Sequence, residues 1–454
     1  MKDARMGILV ALLLCVPILL ARATWPGLLL DSDTSFLLMK LGEYNNPWRW
    51  FNHDWPLENH FYRPISTLVF ELDWRLHPGN ATAFGLTNSI LCCLCALGVF
   101  WLVWEMTQSL SKALLSQTLF VLWTIGRAIP LLDVITPGVI SLVVLRMILE
   151  RRVRGDQVLV GFASIFVPGL LIAIDPKFSS DTLSWLPGRT ATTMTVFCLV
   201  SLAAYVRFER LGACRNPEPA PSSTDVPATR SSRQQSFEPR SVWGWFTLSI
   251  ASAALAMGAY EQAVMIPFVI FGLGFWLRTQ GVQTRFSLQT AFWLLLFGYV
   301  VVRMQFIPIK PSGYQSQQFR SGPGVVISII DYVFPGLQSF NAVWVSLSSG
   351  LLILFTSGIW SSACFGLGNA AFWLRLKAAG KPLAIVLICA AVAYLPMAFL
   401  HQFGHYHYWP GAFLALFGVL ACEQFLKALV TAVSPRALQA PPRSSRAPGS
   451  LPHL

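Results

Sequence analysis

Charge is what this chain has least of. Asp, Glu, Lys and Arg make up 12% of its 454 residues, against about 25% in soluble domains. A chain so poor in charge cannot cover a water-facing surface of that size, which excludes an ordinary soluble enzyme and leaves no room for a second soluble domain. Phosphate-cradling glycine motifs are missing too, since neither a Walker A pattern nor a dinucleotide fingerprint occurs. The nine cysteines (15, 92, 93, 95, 198, 214, 364, 389 and 422) show neither metal-ligand spacing nor a pairing framework. Almost all fall within apolar runs, where a thiol behaves as a small hydrophobe.

What is there is hydrophobic. AVILMFWYC residues make up 54% of the chain and the mean hydropathy is +0.56. Apolar runs of about 20 residues recur along its whole length, the signature of transmembrane helices. The expected fold class is all-α: a polytopic integral membrane protein with about twelve transmembrane helices. The first span is 6–23. Ala21-Arg22-Ala23 resembles a signal-peptide cleavage site, but an uncleaved span is the preferred reading. The others are placed at 84–106, 112–126, 132–149, 157–174, 190–206, 242–259, 262–277, 288–307, 344–373, 382–400 and 409–429.

The net charge of +12 would point to nucleic acid on a soluble protein. Here the basic residues gather in alternate connections: Arg151, Arg152 and Arg154; Arg207 and Arg210; Arg278 and Arg285; Arg375, Lys377 and Lys381. That is the positive-inside pattern, so the charge is read as orientation, with both termini inside and no nucleic-acid partner. Residues 211–241 are rich in Pro, Ser, Thr and Arg without apolar period and are expected to form a disordered cytoplasmic linker. The domain reading is an N-terminal membrane half (1–210) with an outer loop at 25–84, the linker 211–241, a C-terminal membrane half (242–433) and a disordered tail (434–454).

This topology brings the polar residues of interest to the outer face: Asp31, Asp33, Tyr62, Arg63, Arg189, Glu261, His405 and His407. Ionisable groups at membrane depth are costly and mark functional sites by default. Asp31 and Asp33, spaced i and i+2, can share a divalent cation through hard oxygen ligands; alternatively one serves as general base toward a hydroxyl. The plainer reading is that one of them caps the helix beginning near Ser35. Arg63 and Arg189 are forked cations suited to phosphate, or else snorkel to lipid headgroups. Glu261 stands in a tight turn between two spans, where it would pair with an arginine or hold the backbone. His53, Asp54 and His60 could bind a metal, although such a group on a loop is more often plain hydrogen bonding.

Asp-Ser-Asp at 31–33, Phe-Tyr-Arg-Pro-Ile-Ser-Thr-Leu at 61–68 and Leu-Asp-Trp-Arg-Leu at 72–76 resemble the first outer loop of GT-C glycosyltransferases. The likeness is to bacterial glycosyltransferase-like membrane proteins and to the membrane half of mannosyltransferases that carry TPR repeats. Trp185-Leu186-Pro187-Gly188-Arg189, Tyr260-Glu261-Gln262-Ala263 through Pro267, and His405-Tyr406-His407-Tyr408-Trp409-Pro410 resemble further motifs of that family, in order. Tyr260 stands where those relatives have Lys, and His405 where they have Arg; the TPR repeats are absent.

The resemblance implies a GT-C-like fold with a helical first outer loop, in a bacterial inner membrane. It also implies sugar transfer, with inversion, from a polyprenyl-phosphate donor to an acceptor of unspecified kind on the outer side of the membrane. Asp33, then Asp31, would be catalytic, with Arg63, Tyr62, Arg189, Glu261, His405 and His407 binding substrate. No cofactor is required, a divalent cation on the aspartates being optional; membrane lipids are the other partner. The alternatives are a transporter or flippase of a lipid-linked substrate, or a catalytically degenerate relative.

Overall fold

The computed structural model describes residues 2–24, 31–44, 46–125, 180–213, 239–333, 370–401 and 403–433. Among them every regular element is a helix, and the single β contact is an antiparallel bridge between Phe319 and Leu400. The expected spans 132–149 and 157–174, nearly all of 344–373, the linker over 214–238 and the tail 434–454 lie outside the described residues.

Helices α1 (Lys2–Leu13) and α2 (Val16–Thr24) open the chain. Helices α3 (Ser32–Tyr44) and α4 (Pro64–Leu76) lie in the first connecting segment. The bundle continues with α5 (Ala81–Thr107), α6 (Leu110–Ile125), α7 (Arg189–Ala213), α8 (Pro239–Met257), α9 (Ile266–Thr279) and α10 (Thr290–Phe306). Short α11 (Gly313–Gln318) and α12 (Pro323–Val333) precede α13 (Ala370–Ala398) and α14 (Tyr408–Val433). Among the described residues, five stretches are long and apolar enough to cross a membrane: Ala81–Thr107, Arg189–Ala213, Glu261–Thr279, Phe286–Phe306 and Lys377–Ala398. Leu294 and Phe297 on α10 are 70% and 68% exposed. A surface this apolar is one for lipid rather than water.

Two expectations need correction. The first apolar run is not one helix but two, because Pro17 has no N–H with which to continue the ladder. Cys15 N turns instead to Leu12 O (3.0 Å), and Ala11 O, left over, accepts Gln117 Nε2 from α6 at 2.7 Å. Second, Arg375, Lys377 and Lys381 do not interrupt the chain but lie within α13, which starts at Ala370. Lys, Leu and Ala are good helix formers and carry the helix through the basic stretch.

The halves on either side of the linker form one bundle: α7 packs on α5 and α8, α14 on α6 and α13, and α9 on α13. Small residues allow the close approaches. A Cβ on Gly98 of α5 would come within 2.9 Å of Leu199 Cβ on α7. Between α7 and α8, Ser249 Oγ donates to Ser201 O at 2.7 Å.

Polar residues collect at the two ends of the bundle. At one end, the last carbonyls of α5 are satisfied by side chains, as helix C-termini require. Met106 O accepts from Arg210 Nη2 (2.7 Å), Gln280 Nε2 (2.9 Å) and Trp276 Nε1 (3.1 Å), while Glu105 pairs with Arg207 at 2.8 Å. At the other end, α4 meets the C-terminal end of α8 head to tail. Ile65 N donates to Gly258 O (2.9 Å) and Ser66 Oγ to Ala259 O (2.8 Å), so a free donor of one helix start meets the free acceptors of a helix end. A Cβ on Gly258 would press to 2.7 Å from Ile65 Cγ1, so glycine permits the junction. A second core of Leu37, Leu41, Trp50, Trp55, Phe70, Phe84 and Leu186 fastens α3 and the turn Pro47–Phe51 to α4 and α5.

Candidate functional site

The α4–α8 junction frames a cavity of about 350 Å³. Its walls come from the start of α3 (Asp33, Phe36), residues 55–63, the Trp185–Thr190 turn, Tyr260, Tyr314 on α11, and Phe403–Tyr406. Asp33, Arg63 and His405, expected from sequence as site residues, therefore share one cavity. Asp31, Tyr62, Arg189, Glu261 and His407 stand outside its lining.

The two aspartates divide their work. Asp31 caps α3, its Oδ1 accepting Thr34 N at 2.8 Å, and its Oδ2 accepts Trp185 Nε1 at 2.6 Å. Both oxygens are thus engaged, and the indole wall of the cavity is fixed by the cap residue. Asp33 lies in the first turn of α3 with no hydrogen bond or ion pair among the described residues. Burial, and then the charge of Asp31, hold its carboxyl above the usual aspartate value. A partnerless carboxylate of raised basicity facing a cavity is equipped to take a proton.

Arg63 is the N-cap residue of α4 and is buried. Its Nε and Nη2 both lie 2.8 Å from Glu261 Oε2, and its guanidinium packs 4.4, 4.1 and 4.3 Å from the rings of Trp55, Phe61 and Tyr260. Glu261 Oε1 also accepts Tyr62 N at 3.1 Å. The Arg63 charge is therefore balanced by Glu261, while its Nη1 has no acceptor among the described residues. Tyr62 donates its hydroxyl to Phe51 O (3.0 Å) and stacks on Phe306, which makes it a brace behind the wall. His405 lies against Trp185, with Nε2 3.4 Å from Tyr260 Oη.

Arg189 is placed differently from its expected position near a phosphate. It is fully buried and makes three charge-assisted bonds: Nη1 to Asp73 Oδ2 (2.6 Å), Nε to Asn88 Oδ1 (2.7 Å) and Nη2 to Phe84 O (2.7 Å). It pins the start of α7 to α4 and α5. His407 packs against the stacked rings of Tyr332 and Tyr394 and is not part of the cavity lining. Asp54 accepts the backbone N–H groups of Trp55, His60 and Phe61, and so shapes the loop rather than joining its histidines around a metal. Among the described residues no three His, Cys, Asp or Glu side chains converge as a metal site would require.

Tyr314 was not singled out by the sequence. It sits on a segment tied to the first loop and to the α13–α14 connection. Ser312 Oγ donates to Asn59 O (3.1 Å), Gln315 Nε2 to His60 O (3.3 Å), and Arg320 N to Phe399 O (2.6 Å). The available signal was Ser312-x-x-Gln315, a capping box that is formed. It announces a helix start, though nothing about where the helix docks. The chain matches no family model, no curated protein and no solved structure.

Proposed function

We propose that this is a GT-C-type glycosyltransferase, a multi-pass membrane protein of about twelve spans in a bacterial inner membrane. It would move a sugar from a polyprenyl-phosphate donor to an acceptor at the α3–α4 end of the bundle. The observation that carries the reading is Asp33: a carboxylate without a partner among the described residues, raised in basicity, in a cavity walled by Trp55, Phe61, Trp185, Tyr260 and Tyr314. Aromatic faces suit the apolar face of a sugar ring. Asp33 takes the proton of the acceptor hydroxyl as that oxygen attacks the anomeric carbon and the lipid phosphate departs with inversion. Arg63 offers Nη1 to the leaving phosphate, where a positioned donor counts most as charge grows. Glu261 holds the guanidinium in place, and Asp31 holds Trp185 and adds its charge to the field at Asp33.

One observation favours a second reading, a catalytically degenerate relative. Arg63 is the single Lys or Arg among the described lining residues, and its charge is already balanced by Glu261. The test is the purified full chain in liposomes with polyprenyl-phosphate-linked sugars, following release of polyprenyl phosphate. Turnover supports transfer, donor binding without turnover supports the degenerate reading, and absence of both defeats the site assignment.

A further inference from the structure

Helix α4 has its polarity reversed for a water-facing loop. Half-buried Leu68 and Val69 and exposed Leu72 (57%) and Leu76 (60%) form an outward stripe at helical spacing, bordered by Arg75, whose Nε reaches back to Glu71 Oε2 at 3.6 Å, while Ser66, Thr67, Glu71 and Asp73 are buried beside Phe70. A helix lying on a protein in water presents these two sets the other way round. The inward polar set is served: Ser66 bonds Ala259 O, Thr67 Oγ1 donates to Arg63 O (2.9 Å), and Glu71 Oε1 accepts Trp50 Nε1 (2.9 Å). Asp73 takes Arg189 and the hydroxyl of Thr87 (2.9 Å).

The Thr87 bond also sets a depth. Thr87 lies in the second turn of α5, between Leu86 and Asn88, and Leu86, Ile90 and Leu94 form the outward stripe of that span. Leu72 and Leu76 flank Asp73 within one helical turn, so they stand near the level of Leu86, five residues into α5. At 1.5 Å per residue that level is roughly 8 Å below the start of α5, within the roughly 5–10 Å to which interfacial helices sink. Its 13 residues make α4 about 20 Å long, too short to span, and it reaches from the end of α8 to the second turn of α5.

We propose that α4 is immersed in the bilayer, its Leu68–Val69–Leu72–Leu76 stripe lying against acyl chains as a continuation of the lipid face of α5. The inference rests on the membrane reading and not on sugar transfer. The first connecting segment is then part of the membrane face rather than an aqueous loop. The buried Arg189–Asp73 pair is then shielded by lipid as well as protein.

The test is spin labelling of the full chain in liposomes at Leu68→Cys, Leu72→Cys and Leu76→Cys. Leu294→Cys serves as lipid reference, Lys310→Cys as water reference, and the unsubstituted chain reports background labelling. Immersion predicts oxygen collision rates at the three sites close to the Leu294→Cys value, and collision with a water-soluble nickel chelate several-fold below the Lys310→Cys value. Nickel collision equal to Lys310→Cys would overturn the proposal in favour of water. Low collision with both relaxants at Leu72→Cys and Leu76→Cys would overturn it in favour of a protein partner on this face.

Discussion

Asp31 receives the indole N–H of Trp185 on one carboxylate oxygen, at 2.6 Å, and the backbone N–H of Thr34 on the other, at 2.8 Å. One residue thus starts a helix and sets a wall of the cavity that Asp33 faces. Asp31→Asn retains capping ability, because Asn ranks with Asp at the N-cap, and stability should stay within about 1 kcal/mol. What it removes is the charge that helps hold the Asp33 carboxyl high. The Asp33 value then falls, and the acid limb of the rate–pH profile moves to lower pH. An unmoved limb in an otherwise active enzyme would separate Asp33 from the rate-determining ionisation.

The same raised value has a stability consequence of unusual sign. Folding lifts the Asp33 pKa above the ordinary value of about 3.9, so the folded state holds the proton more tightly, and this group's contribution rises as pH falls through the window just above that value. A salt-bridged carboxylate behaves in the opposite way. Thermal unfolding of Asp33→Asn should match or exceed the parent at neutral pH, and the difference should shrink as pH falls through that window. Marked destabilisation at neutral pH would mean that Asp33 has a structural partner.

Arg189 and Asp73 should matter to folding and not to turnover. Removing one member of a buried pair typically costs about 3–5 kcal/mol, because the other is left uncompensated. Asp73→Asn should therefore lower yield and melting temperature of the protein in detergent, while the folded fraction keeps its turnover number. Full stability with lost turnover would restore Arg189 to the site.

Glu261→Gln keeps a carbonyl for Tyr62 N but releases the Arg63 charge into the cavity. We expect a lower melting temperature together with a lower KM for a lipid-phosphate donor, since the guanidinium becomes free to answer phosphate. A raised KM at unchanged stability would show that Glu261 itself meets the donor.

The sequence was most readable where one physical demand dominates. Apolar runs of span length have few other uses, and helices lie at 81–107, 189–213 and 286–306, close to where those runs end. The aspartate pair was also visible as a pair. Its division into a cap and a free carboxylate depended on where the helix begins, and α3 starting at Ser32 settles that by putting Asp31 just outside. Arg189 looked like a phosphate ligand because a buried arginine and an exposed one read alike; its partner Asp73 is 116 residues away in sequence. The first run hid its break because Pro17 sits at an allowed place near a helix start as well as in a kink. Tyr314 could not be found from six residues of helix whose docking is decided by hydrogen bonds to Asn59 and His60.

The central claim is that Asp33 is the base of a sugar transfer. Its most direct test is single-turnover transfer by Asp33→Asn in liposomes loaded with the polyprenyl-phosphate sugar that the parent protein uses, under donor saturation. Loss of a general base costs a factor of about 10² to 10⁴, so the account predicts a fall of that order in the transfer rate with donor binding and melting temperature retained. Transfer at the parental rate by Asp33→Asn would contradict it.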